Sequence, residues 1–510
     1  MSMLQIQHLT VTHKQDLRIL IQDLSFHVSG TDRLAVIGEE GDGKSTLLRI
    51  ISQWPELPPW CLCDGRIERG GERIAFLSQE PAFPEDLSVY DYCCSDVSFP
   101  ETSWEDLYAA CQKTGLSPEL VYSETAVARL SGGEKIKLRL TLLLLQSPTL
   151  LNLDEPSNDL DLASLESLEY FLNSCQLPVI FVSHDEMLLR ACATRVLHLE
   201  SVHGRQNPKW TLSNTPYADY VSERSHSLAR QEQQFQADLR EKRARDERFQ
   251  RIQQSVEHAQ ATISRGDPHG GRLLKKKMKA VKSLEHRFER EDAQMTERPN
   301  TEWAIDASWM DGIAIPGGKT ILDLHLDELT TGGQILSRNV ELFIRGPEKI
   351  LIIGENGAGK TTLLRVIADQ LLEKPDLKCA YMPQNYQDLL PASLSPVEFL
   401  HTDGTKDQLT EIRTHLGALR FTRDEMEHPI RNLSGGQKAK LLLLHLILQK
   451  ANVLLLDEPT RNLSPLSAPV LRQMLTSFPG CMVCVTHDRQ LLSMHTGRIL
   501  RLTRDGLFSV

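Results

Sequence analysis

Long apolar runs are missing from this 510-residue sequence. The longest, Leu140 to Leu145 and Leu441 to Leu446, fall far short of the ~18 apolar residues that a membrane-crossing helix needs. They predict buried helix faces and argue against a spanning segment. Aromatic residues are scarce at 6%, and the ten cysteines are scattered. Scattered thiols without a compact disulfide framework predict a reduced, cytoplasmic setting. The pair Cys481 and Cys484 has metal-binding spacing, yet Cys481 to Val485 reads as a buried strand, so no metal is expected there. Cys61 with Cys63 and Cys93 with Cys94 receive the same reading. No apolar leader precedes the strand-like Leu4-Gln5-Ile6, and no export signal is expected. A general positive excess is also missing: a net charge of −11 argues against a protein that coats nucleic acid over its whole surface.

That average hides a local reversal. Residues 221–300 hold eighteen Lys and Arg against thirteen Asp and Glu, a local +5 that leaves −16 for the rest. Hydrophobic residues at 40% and charged residues at 25% are ordinary for a globular chain, and the length leaves room for about three domains.

What the sequence does contain is an ordered series of motifs, present twice. Gly38-Glu39-Glu40-Gly41-Asp42-Gly43-Lys44-Ser45 and Gly354-Glu355-Asn356-Gly357-Ala358-Gly359-Lys360-Thr361 both fit a phosphate-binding loop. Each is followed by Leu-Ser-Gly-Gly (130–133 and 433–436), then by Leu-Asp-Glu-Pro (153–156 and 456–459). Each series closes on a hydroxyl-His-Asp triplet, Ser183-His184-Asp185 and Thr486-His487-Asp488. One match could arise by chance; the repeated series implies an internal duplication.

The chemistry follows from the residue types. Glycines at 38, 41 and 43, and at 354, 357 and 359, let backbone N–H groups curl around phosphate oxygens at a helix start. Lys44 and Lys360 bring a positive charge to the β- and γ-phosphates. Ser45 and Thr361 offer a hydroxyl to Mg²⁺, and Thr46 and Thr362 complete each nucleotide-binding set. Asp154 and Asp457, at strand ends, are expected in the metal shell. Glu155 and Glu458 are placed to polarise an attacking water. An Asp-Glu pair could merely end a strand, but its recurrence before Pro156 and Pro459 favours chemistry. Ser131-Gly132-Gly133 and Ser434-Gly435-Gly436 read on their own as helix N-caps.

Strands alternate with helices in both repeats, predicting an α/β fold with a mainly parallel sheet and a ligand at the strands' carboxyl ends. The divisions fall at 1–220, 221–301 and 302–510. In the middle block, apolar residues recur at Phe235, Leu239, Phe249, Ile252, Val256, Ala259 and Ile263, and again at Leu274, Met278, Val281, Leu284 and Phe288. Residues 264–271 break the pattern, so a helical hairpin is expected, its first arm reaching ~60 Å at 1.5 Å per residue. Lys242 to Arg248 interrupts the first stripe, which predicts loose pairing there. Near the turn, Arg265, Arg272, Lys275, Lys276, Lys277, Lys279 and Lys282 face only Asp267. They form either a solvated face or a contact for RNA phosphates.

Phosphate loop, Gln, Leu-Ser-Gly-Gly, Asp-Glu and His in this order resemble the ATP-binding cassette ATPases. The resemblance implies ATP and Mg²⁺ as ligands and two cassettes packed head to tail within one monomer. Ser434, Gly435 and Gly436 would then close over the ATP held by Lys44, and Ser131, Gly132 and Gly133 over that held by Lys360. His184 and His487 would reach the γ-phosphate, while Gln79 and Gln384 would sense metal and water. Two fused cassettes around a helical hairpin of some eighty residues, entered through Tyr217-Ala218-Asp219-Tyr220, resemble the ABC-F subfamily. That implies a ribosomal partner, rRNA and tRNA included. The compact distance from Gln79 to Ser131 and the chain end at Val510 resemble its antibiotic-resistance members, whereas the short turn resembles them less. A motor subunit for a membrane permease is the alternative, and a catalytically silent scaffold a third. Arg461 and Ser464 stand where the family has Asn and Asp. An adenine-stacking aromatic is not evident near His13 or near Leu329-Thr330.

Overall fold

The computed structural model describes residues 4–14, 16–79, 83–158, 160–202, 207–262, 315–385, 389–401, 404–419, 421–461 and 463–510, with single residues and short stretches between 276 and 296. The chain divides into two compact units, one of Met1–Tyr217 with Glu302–Val510, the other Ala218–Thr301.

The first unit shows the duplication directly. In its first half, β1 (Leu4–His13), β2 (Ile19–Val28) and β4 (Cys61–Glu68) make an antiparallel layer in the order β2-β1-β4. Beside it stands a six-stranded sheet of β3 (Arg33–Ile37), β5 (Ile74–Leu77), β6 (Leu150–Asp154), β7 (Val179–Val182), β8 (Arg195–Val202) and β9 (Asn207–Ser213). Its order is β5-β6-β7-β3-β8-β9, parallel except for β9. In the second half, β10 (Thr320–Thr331) and β11 (Gln334–Arg345) form the antiparallel pair. The matching sheet runs β13 (Cys379–Met382), β14 (Val453–Asp457), β15 (Cys481–Val485), β12 (Lys349–Gly354), β16 (Arg498–Thr503) and β17 (Gly506–Ser509).

The central strands are apolar along their length because both sheet faces are covered. Every residue of β6, β7, β14 and β15 is buried. In the first cassette Leu34, Val36, Ile180 and Val182 share a core with Leu47, Leu48, Ile50 and Ile51 of the helix Lys44–Gln53. In the second, the apolar run Leu441 to Leu446 lies on the helix Gly435–Leu448 as a buried face, with Leu441 to Leu444 packed among Leu454, Leu456 and Met482. No described helix is long and apolar enough to cross a membrane.

The second unit begins with one helix, Tyr217–Thr262. At 46 residues it extends ~70 Å by the helix rise. Where described, the returning segment runs antiparallel to it: Thr296 N donates to Asp238 at 3.0 Å, Lys242 pairs with Asp292 at 2.7 Å, and the Phe249 and Phe288 rings lie 5.5 Å apart. The loose pairing expected at Lys242 to Arg248 is not found. Arg245 bridges Glu291 and Asp292 and lies 4.5 Å over the Phe288 ring. Apolar periodicity is blind to such bonds: where charge interrupts the stripe, ion pairs hold the two arms together. The turn at 264–271 and Arg265, Arg272, Lys275, Lys277 and Lys282 lie outside the described residues; Lys276 and Lys279 are helical and exposed.

Candidate functional site

Each phosphate loop joins the middle strand of its sheet to a helix. Gly38 and Gly354 adopt φ of 154° and 157°. A Cβ there would lie 2.4 Å from the Leu199 carbonyl oxygen or 2.6 Å from that of Leu502, so only glycine fits. Gly43 and Gly359 cap the helices that start at Lys44 and Lys360. Both lysines are buried and curl into their own loops. Lys44 donates to the carbonyls of Gly38 and Glu39 at 3.0 and 2.9 Å, and Lys360 to those of Gly354 and Glu355, both at 2.9 Å. Ser45 donates to Asp154 at 3.0 Å. Gly41, Thr46, Gly357, Thr361 and Thr362 occupy matching loop and first-turn positions.

The strand-end carboxylates lie at the same places in both halves. Glu155 and Glu458 each have φ 52°, left-handed backbone that a non-glycine residue adopts at a cost. The strained turn aims each Glu at the histidine after the neighbouring strand. His184 Nε2 is 3.0 Å from Glu155 and His487 Nε2 is 3.7 Å from Glu458. Ionisation separates the two. Burial alone would raise Glu155, but His184 and then Lys44 outweigh it and hold the carboxyl below its ordinary range. Glu458, with no such close imidazole, is pushed by burial up to about 7. Burial, reinforced by Lys360, drives His487 down to about 4.

Asp154 is pushed by burial to about 6, and Asp457 is raised for the same reason. Among the described residues, Asp154 Oδ2 and both Asp457 carboxylate oxygens are buried without a hydrogen bond. Thr361 opposes the rise of Asp457 from nearby without meeting good hydrogen-bond geometry. Hard oxygen acceptors left bare beside a phosphate loop fit a hard divalent cation. No group of three or more His, Cys, Asp or Glu among the described residues could hold a metal by itself. Cys481 and Cys484 are buried free thiols. Gln79 and Gln384 are exposed, without a hydrogen bond to the carboxylates.

The first loop faces the other cassette. Glu40 accepts from Gly436 N at 2.9 Å, at the start of the helix that Ser434 caps. Glu39 accepts from Ser464 and Ser467, each at 2.6 Å. The second loop faces Asp161, whose carboxyl, raised by burial, is lowered overall by its bonds to Ser164 and by His487 and Lys360. Ser131 is exposed and closes a capping box with Glu134, while Gly133 lies so close to Ser164 that a Cβ would reach Oγ at 2.0 Å. Arg461 lies near Asp457 and Glu458 and opposes, without overcoming, the rise that burial imposes on both.

An ion-pair network joins the cassettes beside the histidines. Buried Arg472 donates to Glu186 and to Asp488, both at 2.7 Å, and Arg489 to Glu169 at 2.7 Å and Asp185 at 3.0 Å. Sequence reasoning singled out Asp185 and Asp488 in their triplets but missed Arg472, Arg489, Glu169 and Glu186, and gave no role to Glu39 and Glu40. Only Glu40 left a local trace, since it stands where the other loop has Asn356, whereas Glu39 has Glu355 as its counterpart.

Parallel sheets with a phosphate loop at mid-sheet, a strand-end Asp-Glu pair and a facing histidine define a nucleotide-hydrolysing cassette. The sequence matches the family described as ABC transporter over residues 21–158 and 337–461. The chain belongs to the ATP-binding cassette family. Within it, this is a tandem ATPase of the ABC-F subfamily, whose cassettes bind ATP. It is 29% identical over 503 residues to the ribosome protection protein VmlR of Bacillus subtilis (strain 168), covering 93% of this chain and 82% of that protein. It is also 29% identical over 560 residues to the tylosin resistance ATP-binding protein TlrC of Streptomyces fradiae, covering 98% and 97%. Its fold resembles an archaeal ribosome recycling factor solved with an archaeal ribosomal stalk protein, at a TM-score of 0.59 and 16% identity over 99% of this chain and 90% of that one. At that identity the likeness concerns the fold alone.

Proposed function

We propose that both cassettes hydrolyse ATP with Mg²⁺ at sites shared across their interface, and that the chain acts in the cytoplasm, as a monomer, on the ribosome. Ser45 and Asp154 at one site, and Thr361 and Asp457 at the other, would hold the metal, joined by Gln79 and Gln384. Bound there, the metal neutralises phosphate charge. Glu155 and Glu458 orient and deprotonate the attacking water, and His184 and His487 fix the γ-phosphate. Ser434, Gly435 and Gly436 meet the γ-phosphate of the nucleotide on Lys44; Ser131, Gly132 and Gly133 meet that of the nucleotide on Lys360.

The observation that carries the ribosomal reading is likeness along nearly the whole chain to a protein named for ribosome protection. The basic stretch 265–282 supports RNA contact through rRNA or tRNA phosphates, a sequence-independent interaction. Likeness to a tylosin resistance protein favours antibiotic protection over a housekeeping role.

The test is co-sedimentation. Glu155→Gln with Glu458→Gln should lower hydrolysis at least ~100-fold by loss of water activation. It should also accumulate on ribosomes in ATP, because closure survives without turnover. Wild-type turnover in this variant would overturn the carboxylate roles. Flotation with membranes instead of sedimentation with ribosomes would return the chain to the transporter-motor reading.

A further inference from the structure

The helical part of the first cassette carries a strip of aromatic rings that its nucleotide chemistry does not use. Tyr90 lies on the helix Val89–Cys94, Trp104 and Tyr108 on Trp104–Thr114, and Tyr122 just after Pro118–Val121. Their exposures are 43%, 56%, 46% and 49%. The rings form one connected row: Tyr108 to Trp104 at 6.4 Å, Trp104 to Tyr122 at 6.0 Å, Tyr122 to Tyr90 at 5.9 Å. Phe99 lies buried 6.5 Å from Tyr122. Half-exposed rings in contact, in a chain with few aromatics, exceed what packing requires.

The duplication supplies the control. In the second cassette, residues 389–432 contain only Phe399 and Phe421 as aromatics. Phe421 is buried and Phe399 packs on His445 at 4.4 Å. The fold therefore does not demand an outward aromatic row. Charge differs in the same direction. Residues 83–129 hold nine carboxylates and two basic residues, Lys113 and Arg129, whereas 389–432 hold seven carboxylates and five Lys or Arg. Glu105 and Asp106 directly follow Trp104, Asp91 follows Tyr90, and Glu119 and Glu124 flank Tyr122; all five are exposed.

We propose that this row docks a Lys- and Arg-rich protein segment, with arginine preferred. Ring faces attract cations, and a planar guanidinium both stacks on a ring and reaches a carboxylate in a fork. An acidic border repels phosphodiesters, so RNA is the wrong chemistry here, in contrast to the linker. The proposal does not depend on how the nucleotide sites work.

A labelled peptide of alternating Arg and Gly, titrated into the full chain at physiological salt and read by fluorescence anisotropy, tests it. Trp104→Ala with Tyr122→Ala should weaken binding about tenfold, the loss of two ring contacts. Trp104→Phe with Tyr122→Phe should retain most of it. Glu105→Gln with Asp106→Gln should weaken binding and flatten its salt dependence. ATP turnover, unchanged in all three, reports that the cassette is folded. Undiminished peptide binding in the double alanine variant would overturn the proposal. So would a labelled oligouridine whose binding is what that variant loses.

Discussion

Glu40 places a carboxylate where the second loop has a neutral Asn356, and it takes the Gly436 N–H that a γ-phosphate would seek. Removing that charge should favour nucleotide. With the second site silenced by Glu458→Gln, Glu40→Asn should lower the KM for ATP by about tenfold, the effect of one like charge removed near a triphosphate. An unchanged KM would mean that Glu40 moves aside at no cost. The unequal ionisation of Glu155 and Glu458 predicts a second asymmetry: Glu155→Gln and Glu458→Gln made singly should leave different rates. Equal residual turnover would remove it. The loops and strand-end carboxylates were legible because each motif is local in sequence. The pairing of Glu40 with Gly436 was not, since 396 residues separate them and only the packed cassettes bring them together.

At the scale of elements, Arg472 ties the helix Ala468–Ser477 to the N-terminal turn of Glu186–Cys192 in the other cassette, beside both histidines. When that buried guanidinium is lost, Glu186 keeps, among the described residues, only its partner Arg190 and Asp488 only the backbone N–H groups of Gln490 and Leu491. Arg472→Met should therefore destabilise by about 3 kcal/mol. The apparent Tm of the nucleotide-free chain should fall by several degrees, and Glu186→Gln added to Arg472→Met should recover part of it. No shift in Tm would show that the network contributes little. The strands and the first linker helix followed from apolar spacing, because burial imposes a period. The pairing at Lys242 to Arg248 did not, because ion pairs to Glu291 and Asp292 impose none.

For the molecule as a whole, four histidines held below their ordinary 6.5 by burial, His415, His445, His487 and His495, all lie in the second cassette. Each of these histidines binds its proton more readily in the unfolded chain, so its contribution to stability is lost as pH drops below about 6.5, whereas Glu458 and Asp154, both raised by burial, act in the opposite sense at the nucleotide sites. Hydrogen-exchange protection factors, corrected for the intrinsic rate at each pH, should therefore fall in Lys406–Ala418 more than in Trp104–Thr114 on going from about pH 7 to about pH 5. An equal fall in both would contradict this. Replacing Lys275, Lys276, Lys277 and Lys279 by Gln should flatten the salt dependence of ribosome binding by about one unit per lost phosphate contact. An unaltered slope would return the segment to a solvated face. The bonds from Glu39 and Glu40 to Ser464, Ser467 and Gly436 also fix a kinetic order. Two separate cassettes would meet in a second-order step and fall apart on dilution. Partners on one chain reunite in a first-order step, at an effective concentration set by their tether. Turnover per molecule should then be independent of enzyme concentration, however sparse the protein becomes.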